Sequence, residues 1–421
     1  MSVTEAAGNP GPTGNIGPTR RELLTRGAVL AAAVGAPIPF IDNLAEGLVP
    51  AAMAQTPGAA PEGKAGLTML GDRPLNLETP PTLLDPDVTP AKYFFVRNNG
   101  NPPQLSNITD QSWKLKIDGE VNRALDLSIA DLKRNFETVS RRLVIECAGN
   151  GRKFHEPATS GNQWTFGGVG CAVWTGVRLA DVLKMAGVKP SAVYTGHYGA
   201  DTHLSGDPAK NAISRGVPIA KALDENNLIV WAMNGNPIPP VHGFPLRLIV
   251  PGWPGSCSQK WLTRIWIRDQ VHDGEKMTGG AYRLPAYPVA PGTEVPDEDM
   301  VIIESMPVKS LITSPATGAK FARGEPIDVR GHAWSGDVDV ARVDVSMDFG
   351  RTWQPAALDP LPNRYSWRRF KAQVKPPVAG YYEIWARATD KNGVSQPPVT
   401  PGWNPEGYNN NVQHRVAVFA L

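Results

Sequence analysis

Residues 144–152 read Val-Ile-Glu-Cys-Ala-Gly-Asn-Gly-Arg. An apolar run, Leu143-Val144-Ile145, leads to a cysteine, and a glycine-rich turn with an arginine five residues beyond the cysteine follows. A buried strand would hold Cys147 rigidly, and Ala148-Gly149-Asn150-Gly151 would leave backbone room for a bulky group to approach. Three chemistries use a thiol so placed. A thiolate ligates a soft or high-valent metal. A cysteine with a base beside it, here His155, acts as a nucleophile. An unpaired cysteine also packs as a small hydrophobe. These nine residues by themselves leave all three open.

The rest of the chain narrows the field. Its 421 residues suffice for two or three domains, and 41% apolar with 19% charged residues is an ordinary globular composition. Forty-two basic and 40 acidic residues leave a net charge of +2, so nucleic acid is not an expected partner. Three cysteines, Cys147, Cys171 and Cys257, are too few for a disulfide framework or a zinc site, and Cys171 and Cys257 read as buried hydrophobes. Forty-two Gly and 41 Pro favour short strands and turns over a helical bundle.

Thr19-Arg20-Arg21-Glu22-Leu23-Leu24 precedes an alanine-rich apolar run from Gly27 to Ile41, and Ala52-Met53-Ala54 offers a small-residue cleavage site. This pattern reads as a twin-arginine export signal over residues 1–54. The run is shorter than the ~20 apolar residues a span needs, so no membrane span is expected. Residues 55–90, rich in Pro, Gly and Thr, are expected to form an extended lead-in.

From residue 91 to about 300 short apolar runs alternate with helical patterns. Trp113 to Ile117 reads as a strand, Leu127 to Phe136 and the second half of Val173 to Leu183 as helices, and Leu246 to Val250 as a buried strand closed by Pro251-Gly252. From residue 301 onward nearly everything reads as strands, including 327–334, 342–347 and 381–388, with Asn392-Gly393 a tight-turn signal. The expected architecture is α+β: a mixed α/β domain over 91–300, then an all-β immunoglobulin-like sandwich of seven or so strands over 301–421.

Glu146-Cys147-Ala148-Gly149-Asn150-Gly151-Arg152 resembles the molybdenum-cysteine motif of the sulfite oxidase family, and other segments match that family in order. They are Tyr93 to Asn98, Trp174 to Leu179, His242 to Arg247 with Val250-Pro251-Gly252, Gly255 to Leu262, Gly331 to Gly336, and Trp403-Asn404 with His414-Arg415-Val416. The likeness covers residues 70–421. It implies a molybdopterin cofactor, one per chain, with Cys147 as the protein thiolate on molybdenum. It implies that Arg97, Arg152 and Arg415 bind a small sulfur oxyanion, that Trp164 lines the pocket, and that Tyr282 hydrogen-bonds near the metal, with Tyr287 a rival. Arginine suits such a substrate because its planar fork keeps its charge and gives two hydrogen bonds to one oxyanion. Phe95, Asn98, Asn99, Asp201, His242, Arg247, Ser258 and Lys260 match the pterin-binding positions; Asn99 stands where the family often has histidine. His197 and His203, six apart beside Asp201, form no metal site without further ligands.

No Cys-x-x-Cys-His attachment motif occurs, so no haem is expected in the chain, and electrons would leave to a separate c-type cytochrome in the periplasm. That arrangement resembles bacterial sulfite dehydrogenases and the molybdenum subunit of sulfane dehydrogenase. The form of the cysteine motif, His197-Tyr198-Gly199-Ala200-Asp201 and the Pro-rich lead-in favour the second. The substrate would be sulfur on a carrier protein, or sulfite by oxygen-atom transfer at the metal. A homodimer joined by the sandwich is expected, and a cofactor-free binding module of the same fold is the alternative from another class.

Overall fold

A computed structural model describes residues 63–421 of the chain, so the expected leader lies outside the described residues. Strands β1 (Thr68–Asp72), β2 (Leu75–Glu78) and β3 (Val96–Arg97) form a three-stranded antiparallel sheet. A second sheet runs β5 (Leu125–Ser128), β4 (Lys114–Gly119), β12 (Leu262–Arg268), β8 (Tyr194–Gly199). A third runs β10 (Asn236–Pro237), β9 (Leu228–Met233), β7 (Val169–Arg178), β6 (Val139–Glu146), with β11 (Arg247–Ile249) also on β9.

Two short helices pack beside these sheets. Helix α1 (Ile129–Asn135) starts where Ser128 Oγ accepts the Asp131 N–H and the Asp131 carboxylate accepts the Ser128 N–H, a reciprocal cap. Helix α2 (Leu179–Ala186) stops at Gly187, whose φ of 69° lets its N–H return to Leu183 and Lys184 carbonyls. Both helices bury leucines in one core with β4, β5 and β12. Burial of each leucine contributes about 1.5–3 kcal/mol. Among the described residues no helix is long and apolar enough to cross a membrane.

A small hairpin of β13 (Arg283–Pro285) and β14 (Met300–Ile302) leads into the C-terminal sandwich. One of its sheets runs β15 (Lys309–Ser314), β17 (Ile327–Trp334), β21 (Arg368–Val374), β20 (Ala357–Leu358). The other runs β16 (Ala319–Phe321), β23 (His414–Ala420), β22 (Gly380–Asp390), β18 (Val340–Ser346), β19 (Gln354–Pro355). The four and five strands exceed the seven expected because β16, β19 and β20 have only two or three residues, too few to show alternation.

The extended lead-in needs correction. From Gly63 onward it belongs to the core: Leu67, Leu77 and Leu84 are buried, and Asp85 accepts bonds from Thr313 and Arg330 of the sandwich. Its prolines and glycines mark turns between short packed pieces, a composition indistinguishable from that of a loose linker. Leu84, Val144, Cys171, Leu311, Trp334 and Trp367 form an apolar seam where the two domains meet.

One buried ion pair crosses that seam. Glu146, the last residue of β6, accepts Lys309 Nζ at 2.6 Å and Trp334 Nε1 at 2.8 Å, with side-chain exposures of 3% for Glu146 and 6% for Lys309. Removing one partner leaves a bare charge in the interior, which costs about 3–5 kcal/mol. Lys309→Ala is therefore expected to lower unfolding stability by about that amount in a urea titration, and Glu146→Gln combined with Lys309→Met by less.

Burial also keeps histidines neutral. It pushes His197 and His414 down to about 3 and His272 and His332 down to about 4. The unfolded chain, with histidines near 6.5, then binds more protons than the folded one. This contribution is complete above pH ~6.5 and is lost as pH falls toward 4 and 3. The urea midpoint is expected to drop steadily across that window, and less steeply in His332→Phe.

Candidate active site

A cleft of about 640 Å³ opens where β3, β6 and β11 end, and eleven of the fourteen expected residues line it. These are Phe95, Arg97, Asn98, Asn99, Cys147, Asp201, His242, Arg247, Ser258, Lys260 and Tyr282. Cys147 follows β6 directly; its N–H donates to Gly168 O at 2.8 Å and its carbonyl accepts the Asn150 N–H at 2.9 Å. Its thiol is free and 7% exposed. Among the described residues no three His, Cys, Asp or Glu converge as metal ligands, so the chain's offer to a metal is one sulfur. His197 is bonded internally to Thr195 and Cys257 O, and His203 pairs with Ser205 at the surface.

The glycines of the cysteine turn serve a different purpose from the one expected. A Cβ on Gly149 would sit 2.9 Å from the Arg152 guanidinium carbon, and one on Gly151, at φ 95°, 2.9 Å from Asn410. They admit protein, not ligand. Arg152 folds under the turn and is buried, donating to Glu406 O at 2.8 Å and Asn162 O at 3.1 Å. Asn409 N donates to Ala148 O and Asn410 Nδ2 to Gly151 O, both at 2.9 Å, so the second domain grips the turn.

The cleft wall is strongly cationic. Arg247 is 4% exposed and donates to His242 O at 2.9 Å; burial lowers its guanidinium to about 9. Lys260 donates to Asn98 Oδ1 at 2.6 Å and Val241 O at 2.7 Å, and burial, with Arg247 close by, holds its ammonium well below the usual range. Arg97 bonds the neighbouring Asn98 carbonyl. Among the described residues none of these three makes an ion pair with a carboxylate within 4 Å. The one acid of the cleft wall, Asp201, is itself raised to about 6 by burial, which weakens it as a counter-charge.

Tyr282 has a φ of 53° and is 5% exposed. Its ring stacks on Tyr408 at 5.3 Å and 9°, and the Arg215 guanidinium lies 4.8 Å from its centroid. Arg152 lies 5.0 Å from the Tyr408 ring, so the contacts run Arg152, Tyr408, Tyr282, Arg215. Arg215 and Tyr408 were missed in the sequence. Arg215 is fully buried with a sulfur and a carbonyl as polar partners, an environment no local pattern announces. Tyr408 stands between the matching segments Trp403-Asn404 and His414-Arg415-Val416, in a stretch that carries no motif of its own. The rival Tyr287 is half exposed and bonds Asp299 away from the cleft.

Three expected residues stand elsewhere. Trp164 is fully buried behind Phe95, edge-on at 5.9 Å. Arg152 sits beneath the cysteine turn, in contact with the site through Tyr408. Arg415 requires correction: on β23 its neighbours His414 and Val416 point inward, so the strand's alternation turns it outward. There it is half exposed, 5.3 Å from the Trp385 ring and 3.8 Å from the Glu383 carboxylate. His155 has no hydrogen-bond partner on either ring nitrogen, so it is not engaged as a base for Cys147.

Comparison with known proteins identifies the family. Residues 100–276 match the oxidoreductase molybdopterin binding domain, and residues 300–420 the molybdenum cofactor oxidoreductase dimerisation domain. Mitochondrial sulfite oxidases of Macaca fascicularis and Homo sapiens are each 35% identical over 370 residues. That match covers 84% of this chain and 66% of theirs, so the chain spans just under two thirds of those relatives. Sulfite oxidase of Gallus gallus is 33% identical over 374 residues, covering 86% of this chain and 80% of its own. The solved structure of the sulfane dehydrogenase SoxCD from Paracoccus pantotrophus superposes with a TM-score of 0.67 at 26% identity, covering 91% of this chain and 90% of that one. With both family models matched in order and relatives 33–35% identical over more than four fifths of its length, the chain belongs to the sulfite oxidase family of molybdenum enzymes.

Proposed function

We propose that this chain is an exported dehydrogenase that oxidises a sulfur substrate and passes the electrons to a c-type cytochrome. The observation that carries the reading is one cleft holding a single free thiol, Cys147, among the cations Arg97, Arg247 and Lys260, none of which is ion-paired to a carboxylate among the described residues. The donor set suits a phosphate-bearing pterin. Arg247 Nε, Ser256 Oγ, Asn98 Nδ2, Asn99 Oδ1 and Gln259 Oε1 belong to cleft-lining residues and are buried without a protein partner. Each such atom costs about 1–3 kcal/mol when left unpaired; Arg247 Nε, Asn98 Nδ2 and Ser256 Oγ can donate to an anion, and the acceptors Asn99 Oδ1 and Gln259 Oε1 suit N–H groups of a pterin ring.

On this reading Cys147 would ligate the metal. Arg247, Lys260, His242 and Ser258 would hold the anionic part of the pterin, with Phe95, Asn98, Asn99 and Asp201 beside it. The bound molybdenum and pterin supply two-electron oxygen-atom-transfer chemistry at a sulfur atom. Arg97 orients an oxyanion or a sulfur-bearing group with its planar fork, and Tyr282 offers a phenol hydrogen bond at the same end of the cleft. Arg152 and Trp164 stabilise that end from behind.

Sulfur carried on a partner protein is the favoured substrate, supported by the full-length likeness to a sulfane dehydrogenase. Free sulfite is the second reading, supported by the higher identity to sulfite oxidases. The twin-arginine leader supports a periplasmic location, and the match to a dimerisation domain supports a homodimer.

Purified full-length protein is expected to contain molybdenum and to reduce cytochrome c faster with sulfur on a thiol protein than with sulfite. The reverse preference would exchange the two substrates; protein rich in molybdenum yet inert with both would overturn the proposal. Cys147→Ser is expected to abolish turnover while pterin is retained, read by metal and pterin analysis of the same sample. Arg97→Ala is expected to lower kcat/KM roughly ten- to hundredfold, the loss of one charge-assisted hydrogen bond. Arg415→Ala is expected to stay within about twofold of wild type, as for an exposed charge pair.

A further inference from the structure

Lys64 stands outside every motif and outside the cleft wall, yet it is 6% exposed. Its ammonium donates to Ala91 O at 2.7 Å and Phe94 O at 3.0 Å, and lies 2.7 Å from His242 Nε2. Three N–H donors meet three acceptors, and none of them is a carboxylate. Because an ammonium has no lone pair, the third contact requires one on Nε2, which leaves the ring proton of neutral His242 on Nδ1. The two carbonyls flank the start of the segment that carries Phe95, Arg97, Asn98 and Asn99, so one side chain joins that segment to His242. His242 and the adjacent Val241 are also held by Arg247 and Lys260.

Resting on the cofactor reading above, we propose that Lys64 is a positioning residue for the cofactor: it locks the tautomer of His242 and joins Arg247 and Lys260 as a third cation at the anion-binding end of the cleft. A buried ammonium beside Arg247, Lys260 and a histidine, with no acid pairing it among the described residues, is unfavourable in an empty cleft. Burial accordingly lowers it to about 7. A phosphate-class anion beyond His242 reverses the sign of that field and makes the same charge favourable. The contact of Lys64 with His242 therefore costs least when the cleft is filled.

The test compares wild type, Lys64→Gln and Lys64→Met as full chains produced with cofactor available. Readouts are pterin and molybdenum per chain, the 15N shifts of the His242 ring, and Tm of the cofactor-free form. Lys64→Gln keeps a donor for Nε2 but no charge, so the tautomer signature is expected to persist while cofactor retention weakens about tenfold, as for the loss of a charged hydrogen bond. Lys64→Met is expected to lose both the signature and the retention, while the cofactor-free form melts at or above the wild-type temperature because an unpaired buried charge is gone. Wild-type retention in both variants, or an unchanged ring signature in Lys64→Met, would overturn the proposal. So would a loss of retention matched by an equal loss of stability in the cofactor-free form. Wild-type protein that binds neither pterin nor molybdenum would instead sink the functional reading, while the ring shifts still report on Lys64.

Discussion

The carboxylate of Glu146 is the point on which the two domains and the cleft all depend. It ends the strand that delivers Cys147, and it accepts the ammonium of Lys309 and the indole of Trp334 from the sandwich, together with Asn150 Nδ2 from the cysteine turn. Three donors on one buried carboxylate offset its desolvation and leave the turn little freedom. A pair of leucines here would bury as much surface, but would not fix the direction in which the next residue points. The charge specifies orientation at a place where an error of about 1 Å in the thiol would be felt.

Positive charge is distributed in the opposite way. Around Glu146 every charge is answered, whereas Arg247, Lys260, Arg97 and Lys64 around the cleft are answered by carbonyls, amides and one weakened acid. Folding would gain from neutralising them, and the chain leaves them as they are. Unneutralised cations, two of them buried and two partly so, are a cost to folding, and their clustering around one cleft supports the proposal that it receives an anionic group.

The sandwich contributes more than a partner surface. Its loop from Asn404 to Asn410 returns to the first domain, where Tyr408 stacks on Tyr282, Glu406 O holds Arg152, and Asn409 and Asn410 hold the cysteine turn. The thiol belongs to one domain and much of the geometry around it to the other. Damage to the seam would therefore reach the cleft without touching any residue that lines it.

The sequence by itself determined the class of fold, the strand that leads to Cys147 and the α/β region before the sandwich, because these rest on local period; the residues of the cleft were legible only through the resemblance of short motifs in fixed order to a known family. The residues of His242 to Arg247 and of Ser258 to Lys260 come together through adjacent stretches of chain. What only the tertiary structure decided depends on direction and on long separations. Arg415 lies in a matching motif, yet the two-residue alternation of β23 turns it away from the cleft. Lys64 meets His242 across 178 residues, and Glu146 meets Lys309 across 163. Arg215 looks like any surface arginine until packing closes over it. Local pattern records which face of a strand is apolar; it holds no record of which distant charge will be brought against it once the chain has folded.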